Sequence, residues 1–257
     1  MARVLMPLPT EDFDPTESAV PWRVLVDAGH EVVFATPEGA PAAADEVVIR
    51  GPLGMISGSM KAGSDVVRIY REMAEDPAFL APIAWADMDP DAVDALFLVG
   101  GHAPGMREYL ESEDIRRVVL AMWPDRPVAA ICHGVLVLAR TVDPDTGRSV
   151  LDGRKTTCLP SYMERFAWRL TSWKLGRYYK TYDADVEEEV RDAVGESGEF
   201  VRGPVHLFSK GSEKSDAAAF IVEDGRYASG RWPGDAWRVG RWLSEALDHP
   251  NVIPPIS

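Results

Sequence analysis

Residues 127–138 read Pro-Val-Ala-Ala-Ile-Cys-His-Gly-Val-Leu-Val-Leu, and no other stretch restricts the fold so tightly. The apolar run 128–131 has the length of a parallel strand covered on both faces. Gly134 lets the backbone turn sharply, and 135–139 restarts with helix-compatible residues. The residue at such a corner is held in a strained conformation, its side chain raised above the carboxyl end of the sheet. Here that residue is Cys132. The helix that follows is expected to turn N–H groups and its positive dipole end toward the sulfur, favouring thiolate. A lone buried cysteine is ordinarily just a small hydrophobe. The corner, the adjacent His133 and a glycine pair upstream favour a reactive thiol instead.

The start of the chain supports an α/β architecture. Residues 3–8 read as a strand ended by Pro7 and Pro9. Pro15 suits the first turn of a helix that closes at Gly29, and 31–36 is a second strand, which completes a βαβ unit. Glu17 therefore lies early in the first helix, at the end of the sheet where open α/β folds bind ligands. A carboxylate there can equally serve only to complement the helix dipole. Residues 37–58 read as loop plus a small strand or edge hairpin around the apolar run 47–49. Strand 95–99 ends in Gly100-Gly101-His102-Ala103-Pro104-Gly105. Paired glycines let the main chain approach a reacting centre, where their N–H groups can form an oxyanion hole; a plain tight turn is the alternative. The loop has neither the Gly-Lys-Ser/Thr of a phosphate loop nor dinucleotide-binding spacing. His102 either lines the pocket or caps the following turn.

Net charge is −14, which opposes nucleic acid and anionic membranes as partners. No apolar run approaches a membrane span, and the two cysteines, Cys132 and Cys158, show neither metal spacing nor a disulfide framework. A reducing cytoplasm fits best.

Ala130-Ile131-Cys132-His133-Gly134 resembles the nucleophile elbow of the ThiJ/PfpI superfamily, relatives of the class I glutamine amidotransferases. The resemblance implies one flavodoxin-like α/β sandwich over 1–257, with a mostly parallel central sheet. It implies that Glu17 lies beside the sulfur, protonated by burial, and hydrogen-bonds or shuttles a proton. Gly101 and His133 would donate N–H groups to an oxyanion, with Gly100, His102 and Gly134 shaping the site. Ala103 stands where a third glycine is common. The glyoxalase III-like branch carries an acidic partner for its catalytic histidine, and Glu164 matches it by spacing from the strand around Lys155; a solvated helix glutamate is the plain alternative. Residues 187–195 resemble the family's short acidic helix. Runs 200–201 and 218–222 fit its closing strands, Asp224-Gly225 a hairpin turn, and 230–235 its rim loop.

The departure is 165–182, inside an aromatic-rich helical insertion at about 160–185. Trp168, Trp173, Tyr178, Tyr179 and Tyr182 alternate there with five cations. Such interleaving can bind single-stranded nucleic acid, which the acidic whole opposes. A lid, with Trp173 facing substrate, or a subunit interface is expected instead. A lid would imply a substrate larger than a two- or three-carbon dicarbonyl. The resemblance thus implies a cofactor-independent homodimeric enzyme converting a 2-oxoaldehyde to a 2-hydroxy acid. A cysteine-dependent hydratase, hydrolase or biosynthetic enzyme on a bulkier substrate is the alternative. A holdase or redox-sensing protein is the second.

Overall fold

Three strands buried along their whole length, save the half-buried first residue of one, form the middle of the molecule, as continuous apolar runs require. A computed structural model describes residues 1–53, 60–205 and 211–249. The chain opens with β1 (Arg3–Pro7), β2 (Glu11–Phe13), α1 (Pro15–Asp27), β3 (Glu31–Thr36), β4 (Ala43–Ala44) and α2 (Glu46–Arg50). It continues through α3 (Ser64–Ala74), α4 (Pro77–Leu80), β5 (Ile83–Ala84), β6 (Ala95–Leu98), α5 (Met106–Leu110), α6 (Glu113–Met122), β7 (Val128–Ile131) and α7 (Val135–Ala139). It ends with β8 (Lys155–Thr156), α8 (Ser161–Leu175), α9 (Val186–Val194), β9 (Glu199–Phe200), β10 (Ile221–Asp224), β11 (Tyr227–Gly230) and α10 (Ala236–Asp248).

The main sheet has seven strands in the order β10-β11-β7-β6-β1-β3-β5. All pairs are parallel except the β10–β11 hairpin, which turns at Gly225 with φ 57°. Helices flank the sheet: α1 packs with α3 and α10, and α7 packs with α6 and α9. From β1 the chain first adds β3 on one side, then returns to place β6 on the other. That reversal opens a crevice at the carboxyl ends of β1 and β6, and β7 ends beside it. Among the described residues, no helix is long and apolar enough to cross a membrane.

Two sequence expectations change. Residues 47–49 are helical, within α2, because Asp45 accepts the Val47 and Val48 N–H groups and caps a helix where β-branched residues alone suggested a strand. The part of that loop at 54–58 lies outside the described residues. Phe200 does not close the main sheet; β9 pairs with β8 in a separate two-stranded ribbon.

Candidate active site

Cys132 sits at the end of β7 with φ 58°, a left-handed conformation that costs a non-glycine residue about 1–2 kcal/mol. Packing enforces the corner. A Cβ on Gly134 would lie 2.5 Å from the carbonyl oxygens of Leu98 and Val99, so only glycine lets the turn settle on β6. A Cβ on Gly100 would lie 2.1 Å from Glu17 Oε2 and 2.7 Å from Cys132 Cβ. The missing side chain at Gly100 thus leaves the room in which the carboxyl and the thiol meet. Gly101, at φ 153°, runs against the backbone of Asp12 and Asp14, and Gly100 accepts the Asp14 N–H at 3.0 Å. Asp14 in turn caps α1 by accepting from Thr16 and Glu17, which fixes fully buried Glu17 in the first helical turn.

The thiol differs from the expectation. Burial pushes the Cys132 thiol well up, the Glu17 and Asp14 carboxylates push it further, and only the His133 N–H favours the anion. The helix dipole is weak here: Cys132–Gly134 forms a single 3-10 turn, and the five-residue α7 begins beyond it. The resting group is a neutral thiol rather than a thiolate.

His133 is fully buried, and its pKa is lowered to about 3, by burial first and then by His102 and Arg140. Its Nδ1 lies 3.5 Å from Cys132 Sγ and its Nε2 3.2 Å from Thr181 Oγ1. The Thr181 hydroxyl donates to the His102 carbonyl at 2.6 Å, so its oxygen is left to accept from Nε2–H. This assigns the neutral tautomer: Nε2 carries the proton, and the Nδ1 lone pair faces the thiol. Arg107 holds the Thr181 carbonyl and fixes the loop between α8 and α9.

Glu164 does not make the expected pair with His133. It lies in the first turn of α8, where its Oε2 accepts the Val186 N–H at 3.0 Å. Burial chiefly raises its pKa to about 7. It nevertheless borders the same cavity as Cys132, a space of about 110 Å³ also lined by Asp14, Glu17, His102, Met163, Phe166, Tyr179 and Trp232. His102 thus lines the cavity, stacked on Tyr179 at 4.0 Å. Its Nε2 approaches Asp45 Oδ2 at 3.8 Å, too far for a hydrogen bond. Burial lowers His102 to about 4 and raises Asp45 to about 6, so the histidine is neutral and the contact is no ion pair near pH 7.

Trp173 is not in the site. It is 77% exposed, with its Nε1 on the Leu170 carbonyl. Seven residues beyond Phe166, it shares that residue's side of α8 but stands about 10 Å farther along the axis, past the cavity. Thr181 was missed, since a single threonine in a polar loop carries no sequence signal. Cys158 is fully buried, and burial, then the Glu187 and Glu164 carboxylates, push its thiol well up, as suits an inert core residue. Among the described residues no three His, Cys, Asp or Glu side chains converge as a metal set.

An uncharacterised Schizosaccharomyces pombe protein is 27% identical over 239 residues, covering 89% of this chain and 77% of its own. Glyoxalase 3 of Candida albicans is 25% identical over 142 residues, 55% of this chain and 57% of that one. The crystal structure of glyoxalase III from Candida albicans superposes with a TM-score of 0.67 at 20% identity, covering 95% of this chain and 97% of that one, a likeness of fold. The profile described as ThiJ/PfpI family-like matches residues 8–204, which take in Glu17, Gly100, Gly101 and the Cys132 corner, and the chain belongs to that family.

Proposed function

We propose that the protein is a cysteine-dependent enzyme that converts a 2-oxoaldehyde and water to a 2-hydroxy acid. The observation that carries this reading is the neutral pair of Cys132 thiol and His133 Nδ1, 3.5 Å apart and buried with Glu17 under one cavity. Burial penalises both a thiolate and an imidazolium. The proton therefore leaves sulfur only as sulfur bonds to the aldehyde carbon, passes by Nδ1, and ends on the former carbonyl oxygen as a hemithioacetal hydroxyl. The N–H groups of Gly101 and His133 stabilise the alkoxide as it develops. Glu17, against the sulfur, is placed to take the C1–H proton, giving an enediol as the C2 oxygen gains the C1 hydroxyl proton, and then to return its proton to carbon C2. This leaves a thioester at C1 and a hydroxyl on C2. Water then cleaves the S–C bond, releasing the 2-hydroxy acid and returning the thiol. Similarity to glyoxalase 3 of Candida albicans supports the same chemistry.

The test is product analysis with methylglyoxal: lactate should form catalytically with wild type and vanish with Cys132→Ala. Lactate formation that survives Cys132→Ala would remove the thiol from the reaction.

A further inference from the structure

The cavity above Cys132 has an asymmetry of charge. Its lining includes three carboxyl groups, Asp14, Glu17 and Glu164, and among the described lining residues a single cation, the exposed Lys61. Arg231 is the nearest buried cation in sequence to a wall residue, and it is fully committed. Its backbone N and its Nε both donate to Asp235 Oδ2 at 3.0 Å, Nη2 donates to Asp235 Oδ1, and Nη1 donates to the Pro204 carbonyl. The guanidinium also lies over the Phe220 ring. Both partners are essentially inaccessible, at 1% and 0% for their side chains. A buried pair of this kind is a poor source of stability but a strong constraint on local geometry.

That geometry concerns Trp232, the next residue. A Cβ on Gly234 would lie 2.6 Å from the Trp232 ring, so the indole lies flat on the glycine as a fixed apolar wall of the cavity. Met163 and Phe166 of α8 also line the cavity, and Phe166 is 46% exposed, so this side of the space reaches solvent. A dry apolar cavity of about 150 Å³ can hold a benzene ring, and the space here is of that order with an open mouth.

We infer that Trp232, fixed by the Arg231–Asp235 pair, is a specificity-determining residue that selects uncharged carbonyl substrates with a flat or branched apolar substituent and disfavours anionic ones. The inference rests on the proposed thiol chemistry but concerns binding, so it can be read without turnover. Benzaldehyde and glyoxylate both add reversibly to a thiol: the S–C bond forms and the thiol proton ends on oxygen. Neither has the ketone needed for the later steps. Each is titrated for protection of Cys132 against iodoacetamide, followed by intact mass. With each aldehyde scaled to its own addition to a free thiol such as glutathione, benzaldehyde should protect at about 100-fold lower concentration than glyoxylate, because the anion meets the carboxyl groups of the lining. Trp232→Ala should raise the benzaldehyde concentration needed by about tenfold, the usual worth of lost apolar contact in a pocket, and leave glyoxylate unchanged. Trp232→Leu, which keeps some of the wall, should fall between and serves if the alanine variant does not fold. Equal protection by glyoxylate, or an unchanged benzaldehyde requirement in both variants, overturns the inference. Benzaldehyde protection of wild type, lost on truncating Trp232, with no lactate from methylglyoxal would sustain the inference while removing the proposed reaction.

Discussion

Replacing Thr181 by valine tests the assignment of the His133 tautomer. Valine keeps the shape and burial of threonine but removes the oxygen that accepts from Nε2–H and the proton given to the His102 carbonyl. A buried donor left unmade costs about 1–3 kcal/mol. His133 can escape that cost by moving its proton to Nδ1, which then points at Cys132 Sγ. The base facing the thiol is lost in the same step. The bias toward the productive tautomer thus weakens by about 1–3 kcal/mol, and kcat/KM on a 2-oxoaldehyde should fall roughly 5- to 150-fold. Imidazole ¹⁵N shifts should show the protonated nitrogen changing from Nε2 to Nδ1, a signature that general loosening would not give. Thr181→Ser restores the hydroxyl and should recover most of the activity. A valine variant with kcat/KM within about twofold of wild type and an unchanged ¹⁵N pattern would refute the assignment.

Three further outcomes follow from the same geometry. Glu17→Gln removes a charge that holds the Cys132 thiol up, so alkylation at pH 8 should become faster while turnover falls by about two to four decades; slower alkylation would contradict that electrostatic account. Glu164→Gln tests a raised carboxyl: the folded group keeps its proton up to about pH 7, whereas the unfolded one ionises from about 4.5, so wild type should lose up to about 3 kcal/mol as pH rises through that window and then level off. Denaturation of Glu164→Gln across pH 4–8 should lack this slope, and its turnover should suffer less than that of Thr181→Val; the reverse order would return Glu164 to His133. Trp173→Ala should change stability by no more than about 0.5 kcal/mol, since the ring is 77% exposed, and a melting temperature lowered by ten degrees or more would show that something covers it.

The parts of the site legible in sequence are those set by local backbone chemistry. Strand 128–131 and Gly134 mark the corner because an uninterrupted apolar run and one glycine leave few other conformations, and the structure adds that a side chain at 134 would strike the carbonyls of Leu98 and Val99. Glu17 was placed by the start of α1, and the Gly100–Gly101 turn by the end of β6. What was not legible depends on distances between segments. Spacing from β8 puts Glu164 in the first turn of α8 but says nothing about where that turn sits relative to His133, whose partner lies 48 positions away in another loop. Helical periodicity gives Trp173 the same side as Phe166, yet only the length of the cavity along α8 decides that one lines it and the other does not.

The thiol shows the same division in energetic form. A helix start after Cys132 argues for a lowered pKa, and that dipole effect is about 1 kcal/mol at most sites. Full burial beside Glu17 acts in the opposite direction and can reach several pKa units. Sequence shows that a helix follows the cysteine; it does not show that a 3-10 turn separates the sulfur from a helix of only five residues, or that Gly100 leaves room for the Glu17 carboxyl against the sulfur. The larger effect is the tertiary one, and it sets the chemistry. A neutral thiol held against a neutral imidazole is slow toward adventitious alkylating agents and becomes nucleophilic only while a bound carbonyl accepts its proton. Iodoacetamide labelling of wild type should accordingly be slow near neutrality and still rising where an ordinary thiol, with a pKa of about 8.5, has levelled off. A plateau below pH 7 would show that the carboxyl and burial do not outweigh the helix end.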